Sequence, residues 1–221
     1  MSSPAIHIAV VVSAPFEENT YIAHLDGRKD CLVVDPGLEP DEILAYLDEH
    51  ELEPAAILIT HGHSDHIAGN ATLKERFPDC PIVASYGDAP KLTDPRLNLS
   101  AAVGFSLVSP PADVLVREGD VYKAAGFELE VREVPGHSEG HIVFIWHGVP
   151  KVVFGGDVLF AGSIGRTDFP NCSFEQLATN IWAKLFVLPD DTQVLPGHGP
   201  ATTIGREKRD NPFVGAAAGF K

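Results

Sequence analysis

The sequence predicts a mixed α/β domain, and three observations carry that prediction. Short β-branched or apolar runs recur along the chain, each stopped by a turn rich in glycine, proline or aspartate. Segments with apolar residues at helical spacing fall between these runs at residues 41–49, 67–77 and 173–185. A length of 221 residues with 44% hydrophobic content suits one substantial core. One domain over residues 1–213, followed by a short tail over 214–221, is the simplest division.

Taken in order, Ile6 to Val12 and Thr20 to Leu25 read as two antiparallel strands joined by a loop. Cys31 to Val34 is a buried strand that ends at Asp35-Pro36-Gly37, where Asp35 is either a turn residue or an acceptor for a metal-bound histidine. Asp41 to Glu49, opened by Pro40, places Ile43, Leu44 and Leu47 on one helical face. Ala55 to Ile59 is a strand, and Ile67 to Phe77 a helix whose early Gly69 implies close packing. Ile82 to Ala84 restarts a short strand. Gly87 to Pro111, with four prolines and no period, reads as an irregular excursion suited to lining a site entrance. Val114 to Val116, Phe127 to Val134, Ile142 to Trp146, Lys151 to Phe154 and Gln193 to Leu195 complete the strands. Ser173 caps a helix reaching Leu185, with Gln176 as its box partner, and the chain beyond Gly215 reads as a frayed end.

Charge and composition narrow the function. A formal net charge of -15 opposes a nucleic-acid partner, because gripping a polyanion relies on lysine and arginine that displace counterions. Met1 to Ala5 lacks a basic leader, and no apolar stretch reaches membrane-spanning length. Cys31, Cys80 and Cys172 are odd in number and widely spaced, which fits free thiols in a reducing cytoplasm rather than a disulfide framework.

The chemistry concentrates where strands stop. His61-Gly62-His63-Ser64-Asp65-His66 follows an apolar strand and places four metal-capable side chains within six residues, a density that a helix cap, needing one oxygen acceptor, does not require. The design recurs at Pro135-Gly136-His137, at Gly155-Gly156-Asp157 and at Pro196-Gly197-His198. Together His61, His63, Asp65, His66, His137, Asp157 and His198 supply more donors than one tetrahedral ion takes. Asp157 can approach two cations, one through each oxygen, and a water between the ions would ionise near neutral pH. His141 suits a supporting or packing role, and His7, His24, His50 and His147 read as structural or surface histidines. The loop Phe160 to Phe169 contains neither a phosphate-binding nor a dinucleotide signature, and Gly162-Ser163-Ile164-Gly165 lacks the spacing of a nucleophile elbow. Within it, Arg166 either clamps a substrate carboxylate or pairs with Asp168.

These residues resemble the metallo-β-lactamase superfamily, and within it the short bacterial-type glyoxalase II-like hydrolases, over nearly the whole chain to about Phe213. The resemblance implies an αββα sandwich, two mixed β-sheets packed face to face with helices outside, and a binuclear cleft along one edge. It implies two divalent ions, zinc ahead of iron or manganese. His61, His63 and His137 would hold one, Asp65, His66 and His198 the other, with Asp157 bridging and the nucleophile a metal-bound hydroxide held by Asp65 and Asp157. The implied reaction is hydrolysis of a small thioester of the S-D-lactoylglutathione type, with no nucleic-acid or membrane partner. The histidine after Asp65 argues against a β-lactam substrate, since members that hydrolyse β-lactams usually lack it. Arg166 falls where the longer glyoxalase II enzymes place a lysine on a glutathione carboxylate, whereas Asp168 falls where they place a tyrosine. Arg206, Lys208 and Arg209 would stand in for the basic residues of the C-terminal helical domain that those enzymes add. The rivals are a mononuclear-iron persulfide dioxygenase, which shares Gly165-Arg166-Thr167-Asp168-Phe169, a phosphodiesterase, which the acidic charge disfavours, and a non-catalytic metal-binding module, which the intact ligand set disfavours.

Overall fold

Strand order explains the apolar runs of the sequence. In the computed structural model, which describes residues 4–219, the first sheet runs β1 (Ile6–Ser13), β2 (Glu18–Leu25), β3 (Asp30–Val34), β4 (Glu53–Leu58), β5 (Ile82–Ser85) and β6 (Val114–Val116). Its first three strands are antiparallel and its last four parallel. The second sheet is built from β7 (Val121–Ala124), β8 (Phe127–Glu133), β9 (Ile142–Trp146), β10 (Val152–Gly156), β13 (Gln193–Pro196) and β14 (Thr202–Thr203), in the order β14-β13-β10-β9-β8-β7. Only the β10–β13 pair in it is parallel. A two-stranded hairpin, β11 (Leu159–Phe160) and β12 (Ser163–Ile164), follows β10.

Alternation along each strand divides its side chains between two apolar layers. Tyr21, Ala23, Leu32, Val34 and Leu58 face the other sheet, where they meet Phe127, Leu129, Phe144 and Phe154. The intervening Ile22, Val33, Ile57 and Ile59 pack on Ile43 and Leu47 of α1 (Pro40–Glu49) and on Leu73 of α3 (Asn70–Arg76). On the far side, Val143, Ile145, Val153 and Val194 meet Leu177 of α5 (Phe174–Asn180), the π-helical turn Ile181–Leu185 and Ile204 of α6 (Ile204–Asp210). The layers are therefore helix, sheet, sheet, helix, as the αββα expectation required. Full burial of each large side chain contributes about 1.5–3 kcal/mol.

Four elements differ from the sequence reading. The helix expected over residues 67–77 is split into α2 (Ser64–Ile67) and α3, with Gly69 between them. Gly69 N–H donates to Pro36 O at 2.8 Å, and a Cβ there would lie 3.0 Å from both Pro36 Cβ and Gly37 O, so the break pins the histidine-rich turn to the exit of β3. The excursion after Gly87 contains α4 (Ala89–Thr93) and a 3-10 turn, Ser100–Val103. Ser173 Oγ accepts from Gln176 N–H as a cap, but α5 is shorter than expected and widens into the π-helical turn. The tail does not begin at residue 214: Val214 is buried in the second sheet's outer layer, and its carbonyl accepts from Trp182 Nε1 at 2.8 Å. Residues 1–3, where a leader would begin, and residues 220–221 of the tail lie outside the described residues. No helix among the described residues is long and apolar enough to cross a membrane.

Candidate metal centre

The C-terminal ends of β4, β10 and β13, together with the turn between β8 and β9, converge on one edge of the sandwich. The first donor cluster is His61, His63 and His137. Their nitrogens stand 3.0 Å (His61 Nε2 to His63 Nδ1), 3.0 Å (His137 Nε2 to His63 Nδ1) and 3.3 Å (His61 Nε2 to His137 Nε2) apart. Outer hydrogen bonds explain why these atoms face one point. His137 Nδ1 donates to Arg166 O at 2.8 Å, leaving its Nε2 as a bare lone pair. Thr60 Oγ1 gives its own proton to Asp35 Oδ2 and accepts at 3.2 Å from His61 Nδ1, which leaves His61 Nε2 bare as well. Two bare nitrogens 3.3 Å apart cannot hydrogen-bond each other. That separation matches the edge of a tetrahedral zinc site with bonds of about 2.0–2.1 Å, about 3.3–3.4 Å.

The second cluster is Asp65, His66 and His198. His66 Nδ1 donates to Asp35 Oδ2 at 3.2 Å and His198 Nδ1 to Phe16 O at 3.0 Å, so in the neutral form that binds a metal both again present a bare Nε2. His66 Nε2 lies 3.7 Å and His198 Nε2 3.4 Å from Asp65 Oδ2. Asp157 stands between the clusters: its Oδ2 is 3.5 Å from His137 Nε2 and 3.5 Å from His198 Nε2, and its Oδ1 is 3.5 Å from His66 Nε2. His66 Nε2 and Asp157 Oδ1 are buried without a hydrogen-bond partner. Buried atoms of this kind are costly unless something completes them, and a divalent cation does so for a nitrogen lone pair and a carboxylate together. The donor set fits two metal ions. A Cβ at Gly197 would come 2.3 Å from Asp157 Oδ1 and 2.6 Å from His66 Cε1, so only glycine permits this approach.

Electrostatics separates the two clusters. Burial and neighbouring imidazoles hold His61 and His63 well below the ordinary histidine range, and burial lowers His137 against the pull of Asp157. Burial also acts to lower His66, but the carboxylates of Asp65, Asp157 and Asp35 outweigh it and hold His66 well above that range. His198 is raised by its hydrogen bond to Asp65 and the charge of Asp157, again against burial. Burial raises Asp65, yet His66 and His198 more than reverse that and hold its carboxyl well below the usual range.

Several supports escaped the sequence reading. Asn19 Nδ2 donates to Pro196 O (3.0 Å) and Gly199 O (2.8 Å), and Tyr21 Oη to Pro196 O (2.8 Å), so the start of β2 clamps the turn that carries His198. Asp88, 1% exposed, accepts from Gly62 N–H (2.9 Å) and Ser138 Oγ (2.5 Å) on one oxygen and from Gly140 N–H (2.8 Å) and Lys91 Nζ (2.9 Å) on the other. One carboxylate thus ties the His61–His63 turn to the turn of His137. Asp88 falls in the irregular excursion, and only the buried charge pair with Lys91 at i,i+3 could have drawn attention to it.

His141 is no donor to either cluster: it stacks on His61 at 4.7 Å, and its Nε2 accepts from Asp157 N–H at 3.0 Å. Asp35 is the supporting acceptor, held by Thr60 N–H at 2.7 Å. Arg166 lines the cavity above the clusters but is held bidentately by Asp168 at 2.7 and 2.7 Å, with its guanidinium 4.2 Å over the Phe169 ring. Arg206, Lys208 and Arg209 do not line that cavity. α6 turns Glu207 inward to Gly162 N–H and Asn211, which leaves Lys208 on Phe186 O (3.0 Å), Arg209 facing Asp190 (4.0 Å) and Arg206 exposed. The cavity itself has a volume of about 620 Å³, and Asn98, Leu99, Ala102 and Val103 of the excursion form part of its wall.

An αββα sandwich whose strand ends gather histidine and aspartate into a metal cleft defines a class of metal-dependent hydrolases. The chain belongs to the metallo-β-lactamase superfamily, whose model matches residues 14–198. Hydroxyacylglutathione hydrolase GloC of Haemophilus influenzae is 37% identical over 214 residues, covering 95% of this chain and 98% of that protein. Among solved structures, the B3 metallo-β-lactamase BLEG-1 aligns with a TM-score of 0.90 and 34% identity, over 94% of this chain and 99% of that one. A di-iron-bound form of TTHA1623 aligns with a TM-score of 0.80 and 37% identity, over 93% and 99% of the two chains.

Two predictions follow from the outer contacts. Metal binding needs neutral imidazoles, and protonation is favoured at His66 and His198 but disfavoured at His61, His63 and His137. On dialysis from about pH 8 to about pH 5, metal content is expected to fall in two steps, with the Asp65–His66–His198 position emptying first; simultaneous loss would contradict the assignment. Asp88→Asn is expected to weaken cobalt(II) affinity at the His61–His63–His137 position by about 10–100-fold, measured against a chelating dye. Unchanged affinity would show that Asp88 does not set that cluster's geometry.

Proposed function

We propose that the protein is a cytoplasmic, binuclear metallohydrolase that cleaves thioesters of the S-D-lactoylglutathione type. The observation that carries this reading is the position of Asp157, between two donor clusters at the floor of a cavity that offers no activated side-chain nucleophile. Ser64 is the one hydroxyl among the residues lining it, and no histidine or carboxylate is hydrogen-bonded to its Oγ among the described residues. The likeness to GloC supports the thioester, and the three free cysteines support a reducing compartment.

Two divalent ions supply, when bound, a water acidic enough to attack at neutral pH and a charge that polarises the carbonyl. The chain contributes preorganisation. The tautomers of His61, His66, His137 and His198 are set by Thr60, Asp35, Arg166 and Phe16, so these four need no rotation as substrate enters. The carboxylates of Asp65 and Asp157 are acceptors that orient the attacking water. In the net reaction a C–O bond forms at the acyl carbon, the C–S bond breaks, and sulfur takes one proton of the water. A thiolate leaves readily, so no general acid is demanded of the chain. Arg166, at the cavity wall, is the cation placed to exchange Asp168 for a carboxylate of the thiol carrier.

Protein loaded with zinc or iron and assayed without oxygen should release one thiol and one D-lactate per S-D-lactoylglutathione consumed. Oxygen uptake on glutathione persulfide with no thioester cleavage would replace this reading with the dioxygenase, and β-lactam opening without thioester cleavage would replace it with a lactamase.

A further inference from the structure

The cavity that contains the metal clusters is otherwise lined mainly by apolar side chains, and one of these residues is held there in a backbone conformation that its side chain disfavours. Leu99 has φ 68° and ψ 0°, in the left-handed region that a glycine or asparagine occupies readily and a leucine avoids. Its neighbours impose that conformation. The side chain of Asn98 is buried, with Oδ1 accepting from Ser100 N–H (3.1 Å) and Ser100 Oγ (2.7 Å) and Nδ2 donating to Leu107 O (3.0 Å). Leu107 N–H in turn donates to Ser100 Oγ at 3.0 Å. Asn98 O accepts from Ser64 N–H at 2.9 Å, which anchors the turn directly to the histidine-rich motif. These bonds fix where the Leu99 side chain stands.

That side chain faces the chemistry. Leu99 lines the main cavity with Val103, Phe160, Ile164 and Phe169, and it also lines a smaller adjoining cavity of about 210 Å³ beside His63, His137 and Ser138. It is thus a wall shared by the two spaces. Arg166 is the one lysine or arginine lining the main cavity, so the rest of the wall offers an incoming acyl group no cation. A lactoyl group, with a single methyl, would leave most of this wall in contact with water. An aromatic or branched acyl group would cover it.

Resting on the thioester hydrolase reading, we propose that the cavity selects thioesters by a bulky apolar acyl group seated against Leu99, which makes Leu99 a specificity-determining residue. The test uses uncleavable thioethers in which the S-substituent stands in for the acyl group. Zinc-loaded protein is titrated calorimetrically with S-benzylglutathione and S-methylglutathione, and the benzyl compound is expected to bind about tenfold more tightly. Leu99→Gly removes the side chain and relieves the backbone, so the preference should vanish while Tm is unchanged or higher. If Leu99→Gly lowers Tm instead, Leu99→Asn, which also tolerates the left-handed region, decides in its place. No benzyl preference in the unaltered protein, binding of neither compound, or a preference that persists in the folded variant would overturn the proposal. A benzyl preference in a protein that cleaves no thioester would keep the apolar pocket and discard the hydrolase reading; thioester cleavage without the preference would do the reverse.

Discussion

The metal centre depends on the hydrogen bonds that decide which nitrogen each histidine offers. An imidazole has two chemically similar nitrogens, and in a site as buried as this one the wrong tautomer would aim a proton at the ion. Thr60, Arg166 O, Asp35 and Phe16 O each occupy an Nδ1, and the four free Nε2 atoms of His61, His137, His66 and His198 point inward as a result. Asp35 serves twice, holding His66 directly and His61 through Thr60. Glu18 lies buried behind His66 with its Oε1 3.9 Å from Nδ1, and burial pushes its carboxyl well above the usual range.

The sandwich makes these contacts possible. Parallel pairing within β3–β4 and within β10–β13 sends the exits of each pair toward one edge, and the two sheets face each other, so turns far apart in sequence meet there. Asn19 and Pro196 lie 177 residues apart and still share a hydrogen bond of 3.0 Å. Such contacts form only after both sheets have assembled, which makes the centre a product of the whole fold rather than of the histidine-rich turn alone.

This division also explains what the sequence disclosed. Strands buried on both faces read as unbroken apolar runs, and their sudden stops at glycine-flanked histidines exposed the seven donors and their grouping by turn. The αββα class came from the resemblance those donors carry, and the family match bears it out. Contacts set by tertiary geometry stayed hidden. Nothing local to Asp88 shows that it bridges two turns, nor does a leucine after Asn98 announce a left-handed backbone. The basic run at Arg206–Arg209 looked like a substrate grip because a linear reading cannot tell that Glu207, not its cationic neighbours, is the side chain of that run turned inward. Arg166 and Asp168, two residues apart, leave both a clamp and a pair open in the sequence, and their bidentate contact is a property of the folded loop.

Anomalous diffraction from a zinc-loaded crystal tests most directly that Asp157 lies between two separate metal positions. Two anomalous peaks are expected, one enclosed by His61, His63 and His137 and the other by Asp65, His66 and His198, with the Asp157 carboxylate between them. A single peak, or a second peak away from Asp157, would contradict it.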